Sequence, residues 1–146
     1  MTRKIYLASS WRNEYHKDVL EALRNDGHEV HDYRDPAGYF RWNDVHPDAD
    51  WKNWSPEQFK EALTHKQAFV GFNRDMQGLD GSNTCVLLLP SGRSAHIEAG
   101  YAIGKGKDTF ILMPEKVEPE LMYKMVPLKR IVLTTKDLLK QLRVGV

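Results

Sequence analysis

The residues of this chain best suited to chemistry lie between Leu89 and Gly100, in the run Leu-Pro-Ser-Gly-Arg-Ser-Ala-His-Ile-Glu-Ala-Gly. An apolar segment runs into a glycine-containing turn, and the turn runs into a helix. Free N–H groups and the dipole at such a helix start attract anions. Ser91, Gly92, Arg93 and Ser94 therefore suit a phosphate or a sugar hydroxyl. With Ser94 as the predicted N-cap, Glu98 falls one position beyond the partner of a capping box. Two roles fit Glu98: a solvated first-turn carboxylate that complements the dipole, or a nucleophile that attacks a sugar C1′ and forms a glycosyl ester, as in retaining glycosidases. The second role asks for another carboxylate to handle the proton of the leaving group. Asp75 is the candidate, because it edges an apolar helical face of Phe69, Phe72, Met76 and Leu79, where partial burial would raise its pKa. Its plainer reading is a helix-flank aspartate, and Asp80 reads as a turn residue.

A second group follows the first apolar segment, which contains Tyr6. Ser9-Ser10-Trp11-Arg12 stands just beyond it. Arg12 suits a phosphate, or else a solvated helix start. Trp11, Tyr39, Phe40 and Trp42 suit stacking on a base or plain packing. No second His or Cys stands at a zinc-binding spacing from His96, so no metal is expected. Cys85, in mid-strand, reads as an inert core thiol.

These residues need a scaffold, and the hydrophobic pattern supplies one. Strands are predicted over residues 4–8, 28–33, 84–89, 109–113 and 130–133. Helices are predicted over 12–26, from Ser55 onward, from Thr64 onward, over 95–104 and over 134–143. Ser55-Pro56-Glu57-Gln58 carries a cap, a proline at N1 and a glutamine at N3. Gly27 suits the position after a helix end. Residues 38–54 hold many aromatics with no period and read as a long ordered loop, a lid over the ligand. Strand and helix alternate, which predicts an α/β fold with a parallel sheet and right-handed crossovers. Ligands in such folds sit at the carboxyl ends of the strands, here residues 8–12, 34–54 and 90–98.

The 146 residues are read as a single domain, residues 1–146, large enough to bury a core without staples. A net charge of +1 with no Lys/Arg run argues against a nucleic-acid polymer or an anionic membrane as partner. No apolar stretch is long enough to span a membrane, and the single cysteine fits a reducing, cytoplasmic setting.

Three segments together resemble the nucleoside 2-deoxyribosyltransferase superfamily, which includes the nucleoside 5′-monophosphate N-glycosidases. They are Ile5-Tyr6-Leu7-Ala8-Ser9-Ser10-Trp11-Arg12-Asn13, Gly71-Phe72-Asn73-Arg74-Asp75, and Gly92-Arg93-Ser94-Ala95-His96-Ile97-Glu98-Ala99-Gly100-Tyr101. The resemblance spans residues 4 to about 113 and is most specific at the helix that bears Glu98. It implies a flavodoxin-like, Rossmann-like three-layer sandwich on a five-stranded parallel sheet, assembled as a homodimer or higher homo-oligomer. It implies Glu98 as nucleophile, Tyr6 as the neighbour that orients it, and Asp75 as the acid/base near the leaving base. Ser9, Trp11, Arg12, Ser91, Gly92, Arg93 and Ser94 are then the substrate-binding set. The transferase branch has an acidic residue six positions before the nucleophile, where this chain has Gly92, and that departure favours a nucleotide-binding variant. The expected activity is cleavage of the N-glycosidic bond of a nucleoside, a deoxynucleoside or the 5′-monophosphate, with the sugar passed to water or to another base and no cofactor. The alternatives are a nucleotide-binding sensor without turnover and, on fold analogy alone, a flavodoxin-like electron carrier.

Overall fold

The computed structural model describes residues 2–34, 40–45 and 50–144. The chain forms two compact units, one of residues 1–32 and 79–146, the other of residues 33–78.

The first unit is built on a five-stranded sheet. Its strands are β1 (Lys4–Ala8), β2 (Glu29–His31), β3 (Thr84–Leu88), β4 (Asp108–Leu112) and β5 (Ile131–Val132), ordered β2-β1-β3-β4-β5. All neighbours pair in parallel, and this is the flavodoxin-like strand order. β3 is buried at every residue, which explains its unbroken apolar run. Side chains alternate between the faces of a strand. Ile5, Leu7, Val86, Leu88, Phe110 and Leu112 face α1 (His16–Asn25) and α5 (Thr135–Leu142), where Val19, Leu20, Leu23, Leu138 and Leu142 complete a core. The opposite face carries Tyr6, Ala8, Cys85, Leu87, Thr109 and Ile111 beneath α4 (Arg93–Gly104). That helix buries only the small Ala95, Ala99 and Ala102, so it lies close to the strands.

Local signals set most helix ends. Gly27 has a φ of +95°, the left-handed geometry that glycine tolerates at the end of α1. α1 begins at His16 rather than residue 12, because Asn13 is drawn toward the β3 end: its Nδ2 donates to the carbonyls of Leu88 and Pro90, while its Oδ1 accepts from the Tyr15 N–H. α4 is capped by Gly92, not Ser94, so Glu98 sits deeper in the helix than the sequence suggests.

The connection between α1 and β2 holds a buried ionisable group. The His28 ring is 4% exposed, and its Nδ1 accepts the backbone N–H of Arg3 at 3.1 Å. Burial pushes its pKa below 6.5. The native state therefore takes up this proton later than the unfolded chain, and its stability contribution, complete above pH 6.5, is lost as pH falls toward the lower folded value. Asp26 adds a second window, because its hydrogen bond from Arg143 holds its carboxyl below 3.8. That contribution is present above 3.8 and goes as pH falls through the folded value. Denaturation at a series of pH values is expected to show a loss of stability between pH 7 and 5 that is smaller in His28→Gln. Parallel curves for the two proteins would refute the assignment.

The second unit holds two short 3-10 turns (Trp42–Asp44 and Trp51–Asn53), helix α2 (Pro56–Ala62) and most of α3 (Lys66–Asp80). The capping box predicted at Ser55 and Gln58 is present in both directions. In the 38–54 segment, Trp42 packs against Phe40, Trp54 and Phe59, with ring centroids 4.9, 6.0 and 5.3 Å away. Tyr39 and part of the expected lid lie outside the described residues. The expected apolar face of α3 is covered only in part: Leu79 is buried and Met76 half-buried, while Phe69 and Phe72 are 63% and 62% exposed and Gly71 is buried. At Gly71 the helix meets Phe40 closely, since a Cβ there would lie 2.9 Å from Phe40 Cβ. Gly71→Ala is expected to destabilise the protein by roughly 1–2 kcal/mol, overpacking outweighing the gain in helix propensity. Gly100→Ala on α4, where a Cβ meets nothing within 4 Å, is expected to stabilise by roughly 0.5–1 kcal/mol. Thermal melts of both variants check the opposite signs.

Candidate active site

β1 and α4 bring the two central residues together. Tyr6 points to the α4 side of the sheet and is 1% exposed. Its hydroxyl donates a hydrogen bond to Glu98 Oε2. This bond fixes the carboxylate of α4 against the side chain of β1. Glu98 is half-buried, unlike its exposed helix neighbour Ile97 at 73%. Beside Tyr6 in the register lies Cys85. Its thiol is pushed up to about 12, chiefly by burial and then by the charge of Glu98. It is therefore an inert wall of the site, as its position in mid-strand predicts.

The loops after β1 and β3 are laced together, beside a cleft whose lining includes neither Tyr6 nor Glu98. The Ser10 N–H donates to Ser91 Oγ at 2.9 Å, and Ser91 Oγ donates to the Leu88 carbonyl at 2.5 Å. They border a cleft of about 450 Å³ lined by Ser10, Arg12, Asn13, Tyr15, Ser91 and two carboxylates, Glu14 and Glu115. Glu115 accepts from the Tyr15 hydroxyl at 2.8 Å, and that bond raises the pKa of the phenol. The Arg12 guanidinium lies over the exposed Trp11 ring, 5.0 Å from its centroid. Gly92, Arg93 and Ser94 are exposed on the N-cap and first residues of α4, outside the cleft lining. His96 Nδ1 donates to the Gly92 carbonyl at 2.8 Å, and its Nε2 accepts from the Tyr123 hydroxyl at 2.7 Å. Asp75 is half-buried on α3 and belongs to the second unit.

One arrangement went unseen in the sequence. Ser9, 6% exposed, is not open to the cleft; its Oγ lies 2.6 Å from His16 Nδ1. His16 Nε2 lies 3.1 Å from Asp32 Oδ1. With Asp32 accepting from Nε2–H, the neutral ring leaves Nδ1 to accept from Ser9. The spacing of 7 and 16 residues matches no local motif, so only the fold reveals it. His31 stacks on Tyr6, with ring centroids 5.3 Å apart and planes 11° apart.

No family model matches the chain, and no curated protein matches it in sequence. Among solved structures, it is similar to a 2-deoxyribosyltransferase from the psychrotolerant bacterium Bacillus psychrosaccharolyticus, at 21% identity and a TM-score of 0.54, covering 84% of this chain and 79% of that one. It is also similar to a CMP N-glycosidase from Clostridium botulinum, at 19% identity and a TM-score of 0.49, covering 97% of each chain. The first likeness defines the class of fold, a parallel α/β sandwich, and leaves the chemistry to the residues of the site.

Proposed function

We propose that this chain is an enzyme of the nucleoside 2-deoxyribosyltransferase superfamily that cleaves the N-glycosidic bond of a nucleoside, a deoxynucleoside or the 5′-monophosphate. The observation that carries this reading is the Tyr6 hydroxyl bonded to Glu98, a half-buried carboxylate held between β1 and α4. In the first step a Glu98 carboxylate oxygen bonds to C1′ through an oxocarbenium-like transition state. The C1′–N bond breaks, its electron pair goes to the base nitrogen, and the Asp75 carboxyl supplies the proton. In the second step water attacks C1′ of the glycosyl ester, Asp75 takes its proton, and Glu98 leaves as carboxylate. A second base in place of water makes the same step a transfer.

Ser10, Arg12 and Ser91, in the loops that follow β1 and β3, suit the hydroxyl or phosphate end of the sugar, and Ser9 holds the first loop through His16. Trp11 is the accessible aromatic beside them. Arg93 and Ser94 are available to a substrate only at the outer rim of α4. A homo-oligomer is supported by Leu63, Phe69, Val70 and Phe72 in the second unit, each more than half exposed, since large apolar patches mark contact surfaces. Among the described residues no helix is long and apolar enough to cross a membrane, and a cytoplasmic location is the reading that the single, buried thiol fits.

The test is to incubate the protein with a panel of nucleosides and 5′-monophosphates, with and without a second base, and follow free base by chromatography. Base released into water identifies a hydrolase, and release that needs the added base a transferase. Nucleotide binding with no base release across the panel would sink the enzyme reading and leave the sensor.

A further inference from the structure

We propose that His31 is a positioning residue that holds the Tyr6 ring where its hydroxyl meets Glu98. The inference rests on the reading of Glu98 as nucleophile. Its basis is a row of side chains across the sheet. Tyr6 is in register with His31 on β2 and with Cys85 on β3, and Cys85 with Thr109 on β4. Alternation puts all of them on the α4 face. Tyr6 thus has a slender thiol on one flank and a flat imidazole on the other. The near-parallel imidazole is the only one of those two flanks with a surface that matches the ring. Rotation of Tyr6 toward β2 would have to pass through it.

That role requires the end of β2 to stay in place, and the backbone ladder does not ensure it. β2 is an edge strand of three residues, and its registered pairing with β1 stops at His31. The next residue supplies the anchor. Asp32 engages His16 on α1, and His16 engages Ser9, which directly follows β1. His16 is 1% exposed, so the centre of this bracket is shielded from water, while the Asp32 side chain at its end is 20% exposed. The Ser9–His16–Asp32 chain therefore ties the end of β2 to the end of β1 just beyond Tyr6. His31 and Asp32 divide the work: Asp32 fixes the strand end, and His31 bears on the tyrosine.

The experiment compares wild type with His31→Ala, His31→Phe and Asp32→Ala, using base-release kinetics and crystal structures. His31→Ala is expected to lower kcat roughly 10- to 100-fold, the scale of a small misplacement of a reacting group, with KM little changed. In its crystal structure the Tyr6 hydroxyl should have left Glu98. His31→Phe keeps a flat ring and should restore both the bond and most of kcat. Asp32→Ala should fall between them. Equal losses in the alanine and phenylalanine variants, or an intact Tyr6–Glu98 bond in His31→Ala, would overturn the proposal. If wild type releases no base from any substrate, the proposed function falls, and the crystal structures still decide whether His31 positions Tyr6.

Discussion

Glu98→Gln is expected to reduce base release on the order of 10⁴-fold, the scale seen when a covalent nucleophile is removed. The substitution is chosen for what it leaves alone. Glutamine has the same shape, and its carbonyl oxygen still accepts the Tyr6 hydroxyl, so the α4–β1 contact survives. What disappears is the negative charge and the oxygen lone pair able to form an ester at C1′. A drop in kcat with substrate binding and melting temperature unchanged therefore isolates the chemical step. The same variant should also fail to accumulate a covalent glycosyl adduct, which mass spectrometry of the intact protein can detect in wild type during turnover. Residual activity within about tenfold of wild type would mean that Glu98 only stabilises charge. Another group would then have to attack C1′.

The largest effect on stability is expected far from this site. Arg3 is 3% exposed at the opposite ends of the strands, and its guanidinium is almost wholly committed. Nε donates to the Leu142 carbonyl at 2.8 Å, while Nη1 donates to Thr84 Oγ1 at 2.9 Å and Asp108 Oδ2 at 3.0 Å. Nη2 reaches the Val144 carbonyl at 3.4 Å. One side chain thus joins β1, β3, β4 and the end of α5. Removing one member of a buried ion pair costs about 3–5 kcal/mol, because the partners are left without compensation. Asp108 is 36% exposed and keeps Arg130 at 3.2 Å, which places Arg3→Met near the lower end. With a loss of about 3 kcal/mol and a urea m-value of about 2 kcal/mol/M, the unfolding midpoint should fall by about 1.5 M. Arg3→Lys should recover little of this, because an ammonium cannot reach the carbonyl and the carboxylate in one planar fork. An unchanged midpoint in Arg3→Met would show that the network breaks even against hydrophobic packing.

Much of the scaffold is legible in the sequence. The capping box at Ser55, the glycine after α1 and the apolar run of β3 each depend on neighbours within a few residues. The parallel sheet follows from the alternation of strand and helix. Other readings fail for an identifiable reason. The Phe69/Phe72/Met76/Leu79 period does mark one face of α3, but a period cannot say how much of that face is covered: Leu79 is buried, and the two phenylalanines are exposed. Phe40, thirty-one residues before Gly71, occupies the space against the glycine, and the phenylalanines of α3 turn outward. Ser94 has the side chain of a cap, yet the helix already starts at Gly92 after the loop laced by Ser91 and Asn13.

The sequence by itself offered candidates for action on a sugar: Glu98 on a helix after a buried strand, Asp75 beside an apolar helical face, and a serine- and arginine-bearing loop beyond the first strand, with Tyr6 added by the resemblance. These are features of short segments, where residue type and spacing carry the information. The resemblance implied Tyr6 beside Glu98; the tertiary structure alone decided that His31 lies flat on Tyr6 and that Ser9, His16 and Asp32 form one chain. Each of these contacts joins different elements, and the parallel sheet sets their geometry through its register. A shift of one residue between β1 and β2 would send His31 to the opposite face. Register is fixed by the burial of both faces at once, a property of the assembled sheet that no single segment contains.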